Sequence, residues 1–297
     1  MHILILGAGG LLGRHISSHL PRAGHRVVAR THAGLDITSP TGAVDALKAI
    51  SPDLVINAAG LVSSAACEAD PDASRRVNLE APLRWASLCA DRGIPFWAFS
   101  SDYIFDGSQR EPYREDSPPN PRSVYARHKA ELEASLVTYP KHLVLRVSWI
   151  YGTGGKTYMS LLPGLLASQE EVTVASGKRG SCLYAADAAV FIEQLLPLRP
   201  TGILNLVNAG EASWEGFANC CLERMAALGL SIRCRRIREL PFRDLPALGP
   251  GARPAYSVLA TDRLERLVPS VPTWQAALDR WLQAAGKPSL PSQTPAP

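Results

Sequence analysis

ILILGAGGLLGRHISSHL, residues 3–20, decides the fold. Ile3 to Leu6 is a short, unbroken apolar run, the pattern of a strand buried on both faces of a parallel sheet. Gly7, Gly10 and Gly13 follow as G-x-x-G-x-x-G, and a helical pattern runs on to Leu20. Glycines at such a turn let the backbone approach a pyrophosphate and let the helix pack close to the sheet. The helix start adds free N–H groups and the positive end of its dipole. Gly7, Gly10, Leu11, Leu12 and Gly13 are therefore the first dinucleotide-binding candidates.

Strand and helix go on alternating. A second strand is expected over 26–30, a third over 54–56, a long helical stretch over 72–90 that carries Asn78, a fourth strand over 96–99 and a fifth over 142–147. That alternation predicts an α/β fold, a doubly wound parallel sheet of Rossmann type. Right-handed crossovers bring every strand's C-terminal end to one edge. The small residues Ala58, Ala59 and Gly60 after the third strand leave room for a cofactor there. The second strand ends in Arg30 with no acid beside it. An acid would bind the 2′-hydroxyl of NAD; Arg30, or Arg14 in the first helix, instead suits the 2′-phosphate of NADP. NADPH is the expected cofactor, with NADH left open.

The fourth strand delivers Ser101 and Asp102, and the fifth delivers Trp149. Beside them SVYARHKAELEASL, residues 123–136, reads as a helix with Ser123 as its cap. Tyr125 and Lys129 are one turn apart on it, facing the same way. A nearby ammonium is expected to lower a phenol's pKa, fitting the pair for proton transfer. Alone, the pair also fits a solvated helix face. Its convergence with the glycine turn and Ser101 on one edge makes it a site.

Composition narrows the class. The chain has 297 residues, 46% hydrophobic and 20% charged, with a formal net charge of +4. That is a soluble globular protein with a substantial core. The one basic run, Arg233 to Arg238, is a solvated edge or an anion-binding one, and nucleic acid is not an expected partner. The six cysteines and seven histidines show no metal-ligand spacing, so no metal is expected. The cysteines read as reduced core residues of a cytoplasmic protein. No stretch reads as a signal peptide or membrane span. Residues 1–150 read as the dinucleotide-binding domain. Residues 151–285 read mostly as a smaller substrate lid, with a helix at about 185–196 packing back on the core. Residues 286–297 read as a disordered tail.

Taken together the motifs resemble the extended short-chain dehydrogenase/reductase family, in its dTDP-4-dehydrorhamnose reductase-like branch. The matches are GxxGxxG at 7–13, LDIT at 35–38, NAAG at 57–60, SSDYIFDG at 100–107, YxxxK at 125–129, RVSWIYG at 146–152, GEASW at 210–214 and Arg253-Pro254-x-x-Ser257. The resemblance implies that Tyr125 protonates a keto oxygen as hydride arrives. It implies that Lys129 holds the nicotinamide ribose, and that Ser101 hydrogen-bonds the same oxygen. Asp36 and Ile37 border the adenine, and Asn78 joins the cofactor set. Asp102, Trp149 and Arg253 stand on the substrate side. Trp149 packs against a sugar or simply against the core. Asp102 reads as a turn-stabilising acceptor rather than a catalyst. Arg253 grips a phosphate, with Lys178 and Arg179 as further candidates, or closes the lid by a salt bridge.

The substrate side departs from the family. Its D-Q-x-G-x-P-T is here Gly177-Lys178-Arg179-Gly180-Ser181-Cys182-Leu183, and its asparagine before Phe is Thr157 before Tyr158. The expected partner is a small molecule, a nucleotide sugar, and a homodimer is open. Three readings stand: a reductase of a nucleotide-linked keto-deoxysugar, the same chemistry on another small carbonyl compound, and a cofactor-binding regulatory subunit. The last follows from a similarity to the methionine adenosyltransferase regulatory subunit in GLLGR and SSDYIFDG.

Overall fold

In a computed structural model, residues 1–242 and 253–285 are described. The first half runs β1 (His2–Leu6), α1 (Leu11–His19), β2 (Arg26–Arg30), α2 (Pro40–Ile50) and β3 (Leu54–Asn57). The long helix expected over 72–90 is divided. α3 (Ser64–Ala69) and α4 (Pro71–Arg75) pass through a π-helical turn, Arg76–Glu80, into α5 (Ala81–Ala90). Then come β4 (Phe96–Ser101), α6 (Val124–Leu136) and β5 (His142–Val147). The second half holds β6 (Ile150–Tyr151), α7 (Tyr158–Ser168), β7 (Glu171–Ser176), β8 (Arg179–Gly180) and β9 (Leu183–Tyr184). After these come α8 (Ala185–Leu195), β10 (Gly202–Asn205), β11 (Ala212–Ser213), α9 (Trp214–Ala227), β12 (Arg236–Pro241), β13 (Tyr256–Ser257), α10 (Asp262–Leu267) and α11 (Trp274–Ala285).

The main sheet has the order β10-β5-β4-β3-β1-β2, every pair parallel. The chain moves outward from β1 to β2, then crosses back to β3 on β1's other side. The gap between the ends of β1 and β3 is thus the switch point where ligands bind in such sheets. Side chains alternate between two cores. Ile3, Ile5, Ile56 and Leu145 meet α1 and α8 on one face. Leu4, Leu6, Val55 and Val144 meet α5 and α6 on the other. Burial on both faces is why these strands read as unbroken apolar runs.

Several pieces of the range 151–285 join the larger core, among them Leu264 of α10. α8 packs on α1 through Ala185, Ala188 and Ile192, and β10 adds a sixth strand beside β5. The strand was not legible because Gly202-Ile203-Leu204-Asn205 is too short to announce itself. A separate core gathers Leu162, Val174, Phe217, Leu278 and Trp281 from α7, β7, α9 and α11. The basic run lies on the paired edge β12–β7, where Arg233 meets Glu170 and Arg236 and Arg238 meet Glu171. These exposed pairs are the solvated edge of the two readings. The tail expected at 286–297 lies outside the described residues. No described helix is long and apolar enough to cross a membrane. Among the described residues no three His, Cys, Asp or Glu gather as a metal site.

Candidate active site

The glycine turn is built for close approach. Gly7 holds φ at +75°, and a Cβ there would fall 2.4 Å from the Ala59 nitrogen. A Cβ on Gly13 would fall 2.2 Å from the Gly7 oxygen. β1, β3 and α1 therefore meet backbone to backbone. Gly10 caps α1 and offers no side chain, so the N–H groups of the helix's first turn stay available. Gly10 is exposed at that rim, Leu11 is half-buried, and Leu12 packs into the core. The donor set and the missing side chains fit a pyrophosphate.

Arg30 ends β2 on the exposed rim. Arg14 is exposed on α1. Its guanidinium donates to the Gly154 carbonyl at 2.6 Å, tying α1 to the loop after β6. Asp36 is exposed, and its carboxylate accepts from the Thr38 N–H at 2.9 Å and hydroxyl at 2.8 Å. Those bonds hold its pKa below the ordinary value. Ile37 is buried behind it, its carbonyl accepting from the Trp85 indole at 3.1 Å. Ala58 and Ala59 are half-buried and Gly60 exposed at the end of β3.

Asn78 is a correction. It is fully buried, donating to the Leu61 carbonyl at 2.9 Å and accepting from the Leu61 N–H at 3.0 Å. It shapes the rim of the crevice rather than facing it. The π-helical turn, one extra residue wide, directs it there.

α6 is held firmly. Ser123 accepts from the Ala126 N–H at 3.2 Å, and Glu68 of α3 accepts from the Val124 N–H at 2.7 Å. Further along, Glu133 forms a buried pair with Arg146 of β5 at 2.7 Å. On this platform Tyr125 is 7% exposed and Lys129 5% exposed, with the Lys129 ammonium 5.9 Å from the Tyr125 ring centre. Lys129 donates to the Phe99 carbonyl of β4 at 3.0 Å. The Ser101 hydroxyl donates to Asp102 at 3.0 Å and accepts from the Tyr103 N–H at 3.2 Å.

The expected lowering of the Tyr125 pKa is reversed. Burial pushes the phenol well up, the Asp102 charge adds to it, and a hydrogen bond with Ser101 pulls the other way. Burial acts on Lys129 too, bringing its pKa down to about 8. Asp102 is the turn acceptor that sequence suggested, and more. It is buried, and besides Ser101 it accepts from Ser257 of β13 at 2.6 Å. Burial raises its pKa, opposed first by the Lys178 charge.

Trp149 is half-buried, with its backbone in the left-handed region at φ 32°. Its ring lies against Gly180, where a Cβ would approach to 2.7 Å, and edge-on to Trp214 at 5.8 Å. Arg253 is half-buried, its guanidinium 5.9 Å from the Tyr103 ring centre. Arg179, also cationic in the altered loop, is exposed and paired with Glu211. Sequence reasoning missed Ser257, Trp214 and the aromatic surroundings of Lys178. The signal was present, since Ser257 and Trp214 sit inside quoted motifs.

The pattern of the family described as "RmlD substrate binding domain" matches residues 1–286. The chain is 31% identical to a dTDP-4-dehydrorhamnose reductase of Streptomyces griseus, over 96% of this chain and 95% of that one. It is 33% identical to a probable dTDP-4,6-dihydroxy-2-methyloxan-3-one 4-ketoreductase of Streptomyces antibioticus, over 89% of this chain and 88% of the other. Among solved structures, a dTDP-4-dehydrorhamnose reductase of Bacillus anthracis in complex with NADP shares the fold. Its TM-score is 0.87 at 24% identity, covering 95% of this chain and 99% of that one.

Proposed function

From the premise that the chain belongs to the RmlD substrate binding domain family, we propose that it is an NADPH-dependent reductase of a keto group on a nucleotide-linked deoxysugar. The observation that carries this is the meeting of Ser101, Tyr125 and Lys129 at the sheet edge that also holds the Gly7–Gly13 turn. The reduced nicotinamide, when bound, supplies the hydride. Gly7, Gly10, Leu11, Leu12 and Gly13 hold the pyrophosphate, Asp36 and Ile37 border the adenine, and Ala58, Ala59 and Gly60 line the crevice floor. Tyr125 gives its proton to the keto oxygen. Its raised pKa keeps it protonated at neutral pH, as an acid must be before it acts. Ser101 orients the phenol, and Lys129 reaches the ribose from beneath it. Trp149 packs against the sugar, its strained backbone fixing the ring at the mouth. The six cysteines are free and five are buried, which suits the reducing cytoplasm we propose as its compartment.

The direct test is NADPH oxidation against a panel of keto-sugar nucleotides and simple ketones. Turnover of the nucleotide-linked keto-deoxysugars above all others is expected. Tight NADPH binding with no turnover of any of them would replace this reading with a regulatory one.

Arg30 is expected to set the cofactor choice. A charge-assisted bond to the 2′-phosphate contributes about 1.5–3 kcal/mol. Arg30→Ala should therefore weaken NADPH by about 10- to 100-fold and leave NADH nearly unchanged, as read by fluorescence titration. Equal losses for the two cofactors would count against it.

Arg253 is expected to meet the substrate's diphosphate. Its Nε is buried without a hydrogen-bond partner among the described residues, and a planar guanidinium suits a phosphate. Arg253→Ala should raise KM for the linked sugar by about tenfold or more, with NADPH affinity unchanged. Free keto-sugar, lacking the nucleotide, should show no such rise; a rise of equal size there would remove the phosphate contact.

A further inference from the structure

Lys178 is fully buried, and its ammonium has no hydrogen-bond partner among the described residues. Four rings surround it: Tyr103 at 4.9 Å, Phe242 at 5.0 Å, and Trp149 and Trp214 at 5.8 Å. Cation–π attraction offsets part of the cost of desolvating the charge. Rings do not, however, satisfy three N–H donors. Taking an ammonium out of water costs several kcal/mol when it is not hydrogen-bonded. Burial accordingly draws the Lys178 pKa down to about 8. The indole N–H groups of Trp149 and Trp214 are also buried without partners among the described residues. Among the described residues the box is rich in donors, and none of these three is bonded to an acceptor.

Two charges face Lys178: Asp102, close enough for each to shift the other's pKa, and Arg253, whose cation opposes the Lys178 charge. Yet no hydrogen bond joins Lys178 to Asp102. Asp102 already accepts from Ser101 and Ser257, with the Ser148 hydroxyl also beside it, and a carboxylate has about four lone-pair sites. Capacity for another donor remains. A group placed between them must accept from an ammonium and donate to a carboxylate. A hydroxyl does both. A phosphate or carboxylate would satisfy Lys178 but meet repulsion from Asp102. Half-buried Trp149 and Phe242 form the side of the box nearest solvent. Lys178 directly precedes β8, and Gly180 on that strand is what admits the Trp149 ring.

We propose that Lys178 is a specificity-determining residue. With Asp102 it brackets the sugar hydroxyl on the carbon next to the keto group. This rests on the reductase reading. There the keto oxygen is held at Ser101 and Tyr125, and Asp102 is the residue after Ser101, bonded to its hydroxyl. One carbon further along the sugar ring brings the neighbouring oxygen to the Asp102–Lys178 gap.

The test compares a dTDP-linked 4-keto-6-deoxyhexose with its 3-deoxy counterpart, which lacks the neighbouring hydroxyl. Buried polar groups left unpaired penalise the analogue heavily. The wild type should favour the hydroxylated sugar in kcat/KM by about 100-fold or more. Lys178→Met should bring the ratio below about tenfold by loss on the hydroxylated sugar alone, with NADPH affinity unchanged. Lys178→Gln, which keeps a donor, should retain part of it. Should Lys178→Met fail to fold because Asp102 is left uncompensated, the Asp102→Asn/Lys178→Met double variant carries neither charge and should show the same lost ratio. Calorimetric binding of the two reduced sugar nucleotides to NADP-loaded protein reads the ratio without turnover. An active Lys178→Met enzyme with an unchanged ratio overturns this inference and leaves the reductase reading standing. A wild type that neither reduces nor binds either sugar overturns the reductase reading, and this inference with it.

Discussion

Tyr125→Phe is expected to lower kcat by about 10²–10⁴-fold, the usual contribution of a positioned general acid, while NADPH binds as before. The ring stays and only the hydroxyl goes, so the packing of Tyr125 against Cys67 and Val124 survives. The phenol is buried, and its charged form is opposed by desolvation and by Asp102. Losing a proton to the substrate is therefore uphill unless the forming phenolate is met by Lys129, whose ammonium lies 5.9 Å from the ring centre. The raised pKa also fixes a sign. The protonated, donating form persists through neutral pH, so the reductive rate should hold level there and fall only on the alkaline side. Stopped-flow turnover with a keto-sugar nucleotide, beside NADPH titration, separates chemistry from binding. Near wild-type turnover by Tyr125→Phe would show that another group is the acid.

Much of this site was legible because it is local in sequence. The glycine turn, the strand ends and the Tyr125–Lys129 spacing each follow from short-range rules of backbone and periodicity. Charge was harder to read. The lowered phenol pKa expected from the neighbouring Lys129 came from pairwise distance on a helix. Burial, which depends on β4 and β5 packing against α6, reversed it. Asn78 misled for a related reason: a π-helical turn rotates it inward, and no periodicity marks such a turn. Lys178 stood out only as a departure from a familiar pattern. Its meaning needed Tyr103, Trp149, Trp214 and Phe242, four residues scattered along the chain and brought together by the fold.

Lys129→Met is the second large effect, and it has two readouts. In activity, the variant loses a charge-assisted contact to the ribose and the partner of the forming phenolate. Each contributes about 1.5–3 kcal/mol, so kcat/KM should fall by at least about 100-fold and NADPH affinity by about tenfold. In stability, two terms oppose. The Phe99 carbonyl loses its donor at 3.0 Å, which costs about 1–3 kcal/mol. A desolvated charge is also removed, which is favourable. The pH dependence isolates the second term. Folding lowers the Lys129 pKa to about 8 from an ordinary value of 10.5. Below about pH 8 the amine is protonated in both folded and unfolded chains, and the cost of burying its charge is fully felt. Between about pH 8 and 10.5 the folded state sheds the proton while the unfolded state keeps it, so the stability contributed at this position rises with pH. Above that window the cost is gone. Wild type should therefore gain stability relative to Lys129→Met on going from about pH 7 to 9.5, whatever the other titrating groups add to both. Urea melts of the two proteins at each pH supply the difference. An unchanged difference would mean that the Lys129 charge is not buried in the folded protein, and that its reach toward the ribose starts from solvent rather than from beneath Tyr125.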